Sequence, residues 1–241
     1  LDGFEVGNWL SGTGEIRGRD EGLAPAIILT GGRFDVRGLP SEDSATSGTA
    51  SQQAIGPISA DLQRVQISES YYLSNFQGRF EDKGGFGGDF SGLFNGQAPI
   101  AGEMLAQNGG QAFKITSARG GEVMSTMGIT ESSGAGDLVL HLLPGEQPGH
   151  FNGNVTIRNV KIQEAPAFAE LLNAVSVVGL LDQLNGPGIL LTEIASQFVL
   201  TPEKLTITQG SAVGPAMGIS LDGVMQLATS YMDFQGAFSP V

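Results

Sequence analysis

Residues able to do chemistry are few in this chain, and they are scattered. The two histidines, His141 and His150, stand apart: His141 lies between Leu140 and Leu142 in a run with strand spacing, and His150 follows Pro148-Gly149 in a turn. Neither has a His, Cys or carboxylate neighbour at metal-ligand spacing, so a zinc site is not indicated. Both read as ordinary strand and turn histidines. No cysteine is present, which removes disulfides and thiolate ligands. The acidic pairs Glu42-Asp43 and Glu81-Asp82 fall in a polar loop and a turn, without the oxygen-ligand spacing of a calcium loop. The sequence contains no G-x-S-x-G elbow, phosphate-binding loop or H-E-x-x-H motif. Two carboxylates of a glycosidase meet only in the fold, and no signal here selects a pair. Asn154-Val155-Thr156 fits a glycosylation sequon, but it sits inside a strand run and reads as accidental. The expectation is a protein that is not an enzyme, with no metal and no cofactor.

The elements that position these residues are mainly strands. The chain has 241 residues, 37 of them glycine, and only 15% are charged. Glycine at that density fits regular turns and not a helical bundle. A net charge of −13 argues against nucleic acid, whose phosphates need Lys and Arg. It also argues against broad attraction to anionic lipid heads, and leaves apolar lipid contact open. No signal peptide or transmembrane run is visible. The chain begins at Leu1 in mid-pattern and ends at Val241 just after a strand-like run, so it reads as a fragment of a longer protein.

Ala26–Thr30, Gly31-Gly32 and Arg33–Arg37 predict a hairpin with a tight glycine turn, the second strand alternating Phe34 and Val36 with Arg33, Asp35 and Arg37. Residues 40–54 are polar and low in complexity, and predict a flexible loop. Ile58, Ala60 and Leu62 alternate, then Val65 and Ile67 follow out of phase, which predicts a bulge near Gln63–Arg64. From Phe76 the sequence sets Phe or Gly at every second position: Phe76, Gly78, Phe80, then Phe86, Gly88, Phe90, Gly92, Phe94. Met104, Phe113 and Ile115 continue the theme. One face then carries large rings separated by gaps. Either this is a sheet core with room for a covering layer, or it is the floor of an apolar trough. Arg119–Ile129 predicts a short helix closed by Gly128. Later strands are predicted at Leu138–Leu142, Phe151–Ile157 with a slip before Val160, Phe198–Leu200, Leu205–Ile207, Ile219–Leu227 and Tyr231–Phe238, as antiparallel meanders.

The long helical signal runs from Ala165 to Gly188, with Pro166 suited to a first turn and Gly186-Pro187-Gly188 as its stop. Phe168, Leu171, Leu172, Val175 and Val178 share one face. Beyond Ser176 the apolar stripe rotates to Val177, Leu180, Leu181 and Leu184, which predicts a break near Ser176–Gly179 and a pair of short helices. They read as a helical cap over residues 166–185, closing one end of a β core or plugging an apolar channel.

Three stretches together resemble a family. They are Ile115–Leu142 (ITSARGGEVMSTMGITESSGAGDLVLHL), Gly153–Ile189 with its strand GNVTIRNVKIQEAP, helix pair and LNGPGI exit, and Phe198–Phe238 with FVLTPEKLTITQG, GPAMGISLDGVMQL and YMDFQGAFSP. In order and spacing they resemble the C-terminal region of AsmA-like proteins of Gram-negative bacteria, in particular the YhdP-like members. The first hundred residues match that family only in style, and the polar insertion at 40–54 has no place in its pattern. The resemblance implies a single mainly β fragment over 1–241, an elongated antiparallel sheet curled into a taco-like groove, with a few short helices near the C-terminal part. It further implies a periplasmic protein anchored in the inner membrane by a segment outside this chain, handling phospholipid between inner and outer membranes. On that basis the lipid-binding residues are Phe76, Phe80, Phe86, Phe90, Phe94, Met104 and Phe113. The cap residues are Phe168, Leu171, Leu172, Val175, Leu180, Leu181 and Leu184. Two rivals remain: a closed β-sandwich acting as a structural module for outer-membrane assembly, and a carbohydrate-active or adhesive β protein, which the single Trp9 weakens.

Overall fold

The computed structural model describes residues 3–39, 55–130, 134–163, 169, 184, 187–215, 217–229 and 231–240. These form fourteen strands, a short α-helix and a 3-10 turn, and the chain divides into two compact units, Leu1–Ala106 and Gln107–Val241.

The first unit holds β1 (Phe4–Val6), β2 (Leu10–Arg17), β3 (Ala26–Asp35), β4 (Ile58–Gln66), β5 (Tyr72–Asp82), β6 (Phe86–Phe94) and β7 (Ala98–Gln107), neighbours in that order. The hairpin predicted at Gly31-Gly32 does not form. Both glycines have positive φ, +67° and +80°, yet the chain runs on through them as β3. Pairing with β2 shifts by one residue between Ser11 and Thr13, so the glycine step is a bulge. A Cβ on Gly32 would collide with the Ser11 carbonyl, and glycine is needed there for space as well as for φ.

β3 and β4 are parallel, from Ile27 beside Ile58 to Asp35 beside Gln66, where a meander predicts an antiparallel pair. A parallel neighbour requires the chain to return along a ten-residue strand, about 30 Å, and residues 36–57 make that connection. The polar stretch 40–54 belongs to this crossover and lies outside the described residues. Its length thus has a topological reason.

Both predicted changes of phase occur, and a left-handed asparagine accompanies each, Asn159 within the strand Phe151–Ile162 and Asn75 in β5 beside β4. Asn75 has φ +50° and Asn159 φ +55°, the left-handed region that asparagine enters more readily than other side chains. Leu73 and Phe76 therefore join one core cluster, and Ile157 and Val160 join another, although each pair is an odd number of residues apart. In β4, too, Leu62 and Val65 share the first of these clusters although three residues apart, so the change of phase occurs there. The bulge expected at Gln63–Arg64 does not form, because the β4–β5 register holds constant and the register shift falls between Ser74 and Gln77 against β6.

The second unit contains β8 (Gly110–Ser117), α1 (Gly120–Thr126), β9 (Asp137–Pro144), β10 (Phe151–Ile162), β11 (Ile189–Leu200), β12 (Lys204–Gly214), β13 (Met217–Gln226) and β14 (Met232–Pro240), its strands again neighbours in sequence order. The helix α1 ends as the sequence predicts. Gly128 at φ +74° donates its N–H to the Ser125 carbonyl at 2.9 Å, and the Ile129 N–H reaches the Met124 carbonyl at 3.0 Å, which is a Schellman stop. The core of this unit joins Met124 of α1 to Leu138, Ile157, Val160, Ile162, Ile189, Leu191, Met217 and Ile219, with Leu184 wholly buried among them and Ala169 packed alongside.

The taco-like groove implied by the family resemblance is not formed. The sheet is open and not strongly curled: β1 does not pair with β7, nor β8 with β14. The physical reason lies in how each apolar face is treated. In the second unit α1 and Leu184 pack on it. In the first unit phenyl rings lie flat across neighbouring glycines, so the face is partly covered without curling. Of the cap residues, Leu184 is helical and buried. Phe168, Leu171, Leu172, Val175, Leu180 and Leu181, and the break predicted near Ser176–Gly179, lie outside the described residues.

Candidate apolar binding face

The register of β4 to β7 arranges phenylalanine and glycine as a checkerboard. One row across the strands reads Ile58, Phe80, Gly88, Met104; the next reads Ala60, Gly78, Phe90, Gly102. Because successive side chains of a strand point to opposite faces, all of these lie on one side. Ser59, Asp61, Gln77, Arg79, Asp89, Ser91 and Glu103 lie on the other, by the same register.

Each ring occupies the space a glycine leaves. A Cβ built on Gly102 would stand 2.6 Å from both Cε atoms of Phe90, and one on Gly78 would stand 2.5 Å from Phe80 Cε2 and 2.9 Å from Phe76 Cε1. Rings laid over cross-strand glycines shield the backbone that glycine bares. They also stack in a line: Phe86 on Phe80 at 5.9 Å, Phe80 on Phe76 at 6.5 Å, and Phe76 on Phe90 at 6.0 Å, all within 23° of parallel. Offset stacks at such spacing are favourable by about 0.5–1.5 kcal/mol beyond area burial. Phe76 is 8% exposed, whereas Phe80, Phe86, Phe90, Phe94 and Met104 stay only partly buried. Phe76 shares a buried cluster with Ala60, Leu62, Val65 and Leu73, against which Phe80, Phe90 and Phe94 pack together with Leu29, Phe34, Val36 and Ile100. Val36 comes from the 3-10 turn Val36–Gly38, the helical element of this unit among the described residues.

The predicted lipid-contacting residues are thus partly gathered. Phe76, Phe80, Phe86 and Phe90 form one strip, with Met104 in register beside Gly88. Phe94 belongs to the same cluster but stacks on Tyr71, at 5.3 Å and 28°. Phe113 is in the second unit, edge-on to Phe151 at 6.1 Å. Tyr71 was not legible as a contributor, since it precedes β5 in a turn. The pairing of ring with glycine was not legible either, because it depends on register. The same device recurs outside the predicted set. Phe198 overlies Gly153, and a Cβ on Gly223 would stand 2.5 Å from Phe234 Cδ1.

The electrostatics are plain. Asp35 is 9% exposed. Arg37 donates to it through Nε at 2.9 Å and Nη2 at 2.7 Å, and these hydrogen bonds hold its carboxyl at about 2, down from 3.8. This pair closes the 3-10 turn beside the apolar cluster. His141 sits in β9 in register with Lys114 and Asn154, and His150 lies in the turn before β10. Among the described residues no group of three or more His, Asp or Glu is placed to hold a metal ion, and no helix is long and apolar enough to cross a membrane.

Comparison with known proteins returns no match to any family model, curated protein or solved structure. With no groove and no such match, the β-taco and AsmA-like descriptions are set aside, and the open phenylalanine face remains as the feature to explain.

Proposed function

We propose that this chain is a non-catalytic β-sheet segment that holds the acyl chains of phospholipid against the open apolar face of its first unit. One observation carries the reading. In the stacked strip Phe86–Phe80–Phe76–Phe90, Phe80, Phe86 and Phe90 stay partly exposed on one side of the sheet around the buried Phe76, while the reverse side carries Ser59, Asp61, Gln77, Arg79, Asp89, Ser91 and Glu103. Acyl chains bind by non-directional apolar contact, at about 25 cal/mol per Å2 removed from water, and a contiguous apolar strip on a protein surface marks an interaction site. No directed polar group is needed, and acidic residues on the reverse face do not oppose it. In this reading the chain works in the periplasm, on a path for phospholipid between inner and outer membranes.

A second reading has its own support. The face of the second unit is closed, with Val160, Leu184 and Met217 at 0% exposure. A dry core of that kind suits a structural module, so a division of labour is part of the proposal: the first unit binds, and the second supports.

Native mass spectrometry of the purified chain, with organic extraction and lipid identification, tests this. Phospholipid released only on unfolding is the expected result. Phe90→Asp places a charge in the strip and should abolish co-purifying lipid while the circular dichroism of the sheet is kept. Lipid content unchanged in that variant, or a chain that never carries lipid, would defeat the reading and leave the structural module.

A further inference from the structure

The parallel pairing of β3 and β4 brings two arginines side by side. Arg33 is in register with Arg64, and adjacent strands lie about 4.8 Å apart. Their sequence neighbours Phe34 and Val65 are also in register and belong to the apolar cluster, so both arginines lie on the reverse, polar side of the sheet. The row they occupy reads Ser11, Arg33, Arg64, Ser74 across β2 to β5. Both arginines are exposed, and both serines are half-buried. Like charges directly opposite each other in a sheet are unfavourable. The chain has 12 Lys and Arg against 25 Asp and Glu, so a pair of cations here is not the background of a basic surface.

Neither arginine is neutralised. Among the described residues no carboxylate forms an ion pair with Arg33 or Arg64. Asp35, two places along β3, has both carboxylate oxygens engaged by Arg37, at 2.9 Å and 2.7 Å. Glu5, beside Ser11, and Asp61, three residues before Arg64, stand about 10 Å off. Arg64 is nonetheless held in place. Its guanidinium carbon lies 3.7 Å from the centroid of the Tyr72 ring, and its Nε donates to Gln66 Oε1 at 2.8 Å. Gln66 is 8% exposed and is fixed in turn by donating to the Ser68 carbonyl at 2.6 Å. Arg33 is tied more loosely, Nη2 donating to the Asn8 carbonyl at 3.4 Å. Two guanidinium groups thus stand in neighbouring strands with N–H donors to spare.

We propose that Arg33 and Arg64 bind one phosphate group between them. Arginine presents its N–H donors as a planar fork that matches phosphate oxygens two at a time. A phosphate between the two guanidinium groups turns an unfavourable like-charge contact into two favourable ones. Ser11 and Ser74 extend the row with a hydroxyl at either end. The ligand carries this group either free in solution or as a lipid headgroup. The site lies on the opposite side of the sheet from the phenylalanine strip and does not depend on it.

Titration of the full chain with inorganic phosphate, at constant ionic strength balanced by chloride, tests this through the Nε–H NMR signals of Arg33 and Arg64. Saturable shifts of both are expected. Arg33→Met and Arg64→Met should each weaken binding about tenfold or more. Arg64→Lys keeps the charge but loses the fork, and should weaken it similarly. Arg79→Met, on the same side of the sheet in register with Asp89, removes an equal charge and should leave binding unchanged. All four substitutions are at exposed positions, and circular dichroism should show the sheet kept in each. Vesicles of phosphatidylcholine with and without phosphatidic acid form a second arm. Shifts with inorganic phosphate assign a free ligand; binding that needs phosphatidic acid and both arginines, with no response to inorganic phosphate, assigns a headgroup. No response in either arm overturns the proposal. An equal loss in Arg79→Met overturns it too, since the effect would then be one of overall charge. So does vesicle binding that Phe90→Asp abolishes and the arginine variants keep, which would belong to the phenylalanine strip.

Discussion

The ring-over-glycine arrangement predicts a change of sign. At Gly102 the backbone φ is ordinary for any residue, so alanine meets no conformational strain there; it meets Phe90, whose Cε atoms would lie 2.6 Å from the new Cβ. The ring must lift. It then loses its stack on Phe76, now at 6.0 Å and 23°, worth about 0.5–1.5 kcal/mol. It also exposes part of one face, about 40 Å2 or about 1 kcal/mol. Against this, alanine in a strand interior is better than glycine by about 0.5–1 kcal/mol. The balance is a loss of about 1 kcal/mol for Gly102→Ala in the wild-type chain. When Phe90→Ala has already removed the ring, the same substitution should gain about 0.5–1 kcal/mol. The coupling between the two positions is then about 2 kcal/mol. Trp9 is the sole tryptophan and packs edge-on to Phe34 at 6.0 Å within the same unit. Urea titration followed by its emission therefore reads the right unit. Equal effects of Gly102→Ala in both backgrounds would refute the reasoning, because the cost could not then come from the ring.

Two further outcomes follow from local geometry. Asn75→Ala and Asn159→Ala should each cost about 1–2 kcal/mol, since alanine pays the left-handed penalty, while Asn→Gly at either site should fall within about 0.5 kcal/mol of wild type. Trp9 emission in urea checks Asn75 and amide exchange along β10 checks Asn159; alanine tolerated as well as glycine would count against left-handed φ as the cause of the phase slips. Asp35 titrates at about 2 in the fold against 3.8 unperturbed. A depressed carboxyl stabilises the fold above the unperturbed value and loses that contribution as pH falls from about 4 to about 2. Arg37→Met should return the Asp35 carboxyl toward 3.8, seen in its 13C chemical-shift titration, and the acid limb of unfolding in that pH window should flatten. An unmoved titration would mean that Arg37 is not the cause.

Much of the strand content could be read from alternation, because period 2 is a property of the strand itself. The end of α1 was equally legible: a glycine past a short apolar run is a local signal, and Gly128 obeys it. The glycine pair at Gly31-Gly32 misled for a related reason. Positive φ at two glycines makes a hairpin turn or a bulge, and the choice depends on what lies beside β3. With β2 on one side and β4 parallel on the other, the strand continues. Alternation found the change of phase between Leu62 and Val65 in β4 but not the matching one between Leu73 and Phe76 in β5, where Asn75 takes positive φ.

What the sequence by itself determined is thus local: mainly strands, a short helix with a glycine stop, a polar low-complexity stretch at 40–54, and a face of phenylalanine alternating with glycine. Those follow from backbone sterics and side-chain period, which act within a few residues. Only the tertiary structure decided that β3 and β4 run parallel, that the sheet stays open and is not strongly curled, and that Phe90 lies between Gly78 and Gly102. Each of these is a matter of which strand neighbours which and in what register. Cross-strand register is set by packing summed over the whole face, and a one-residue slip would send every side chain to the opposite side.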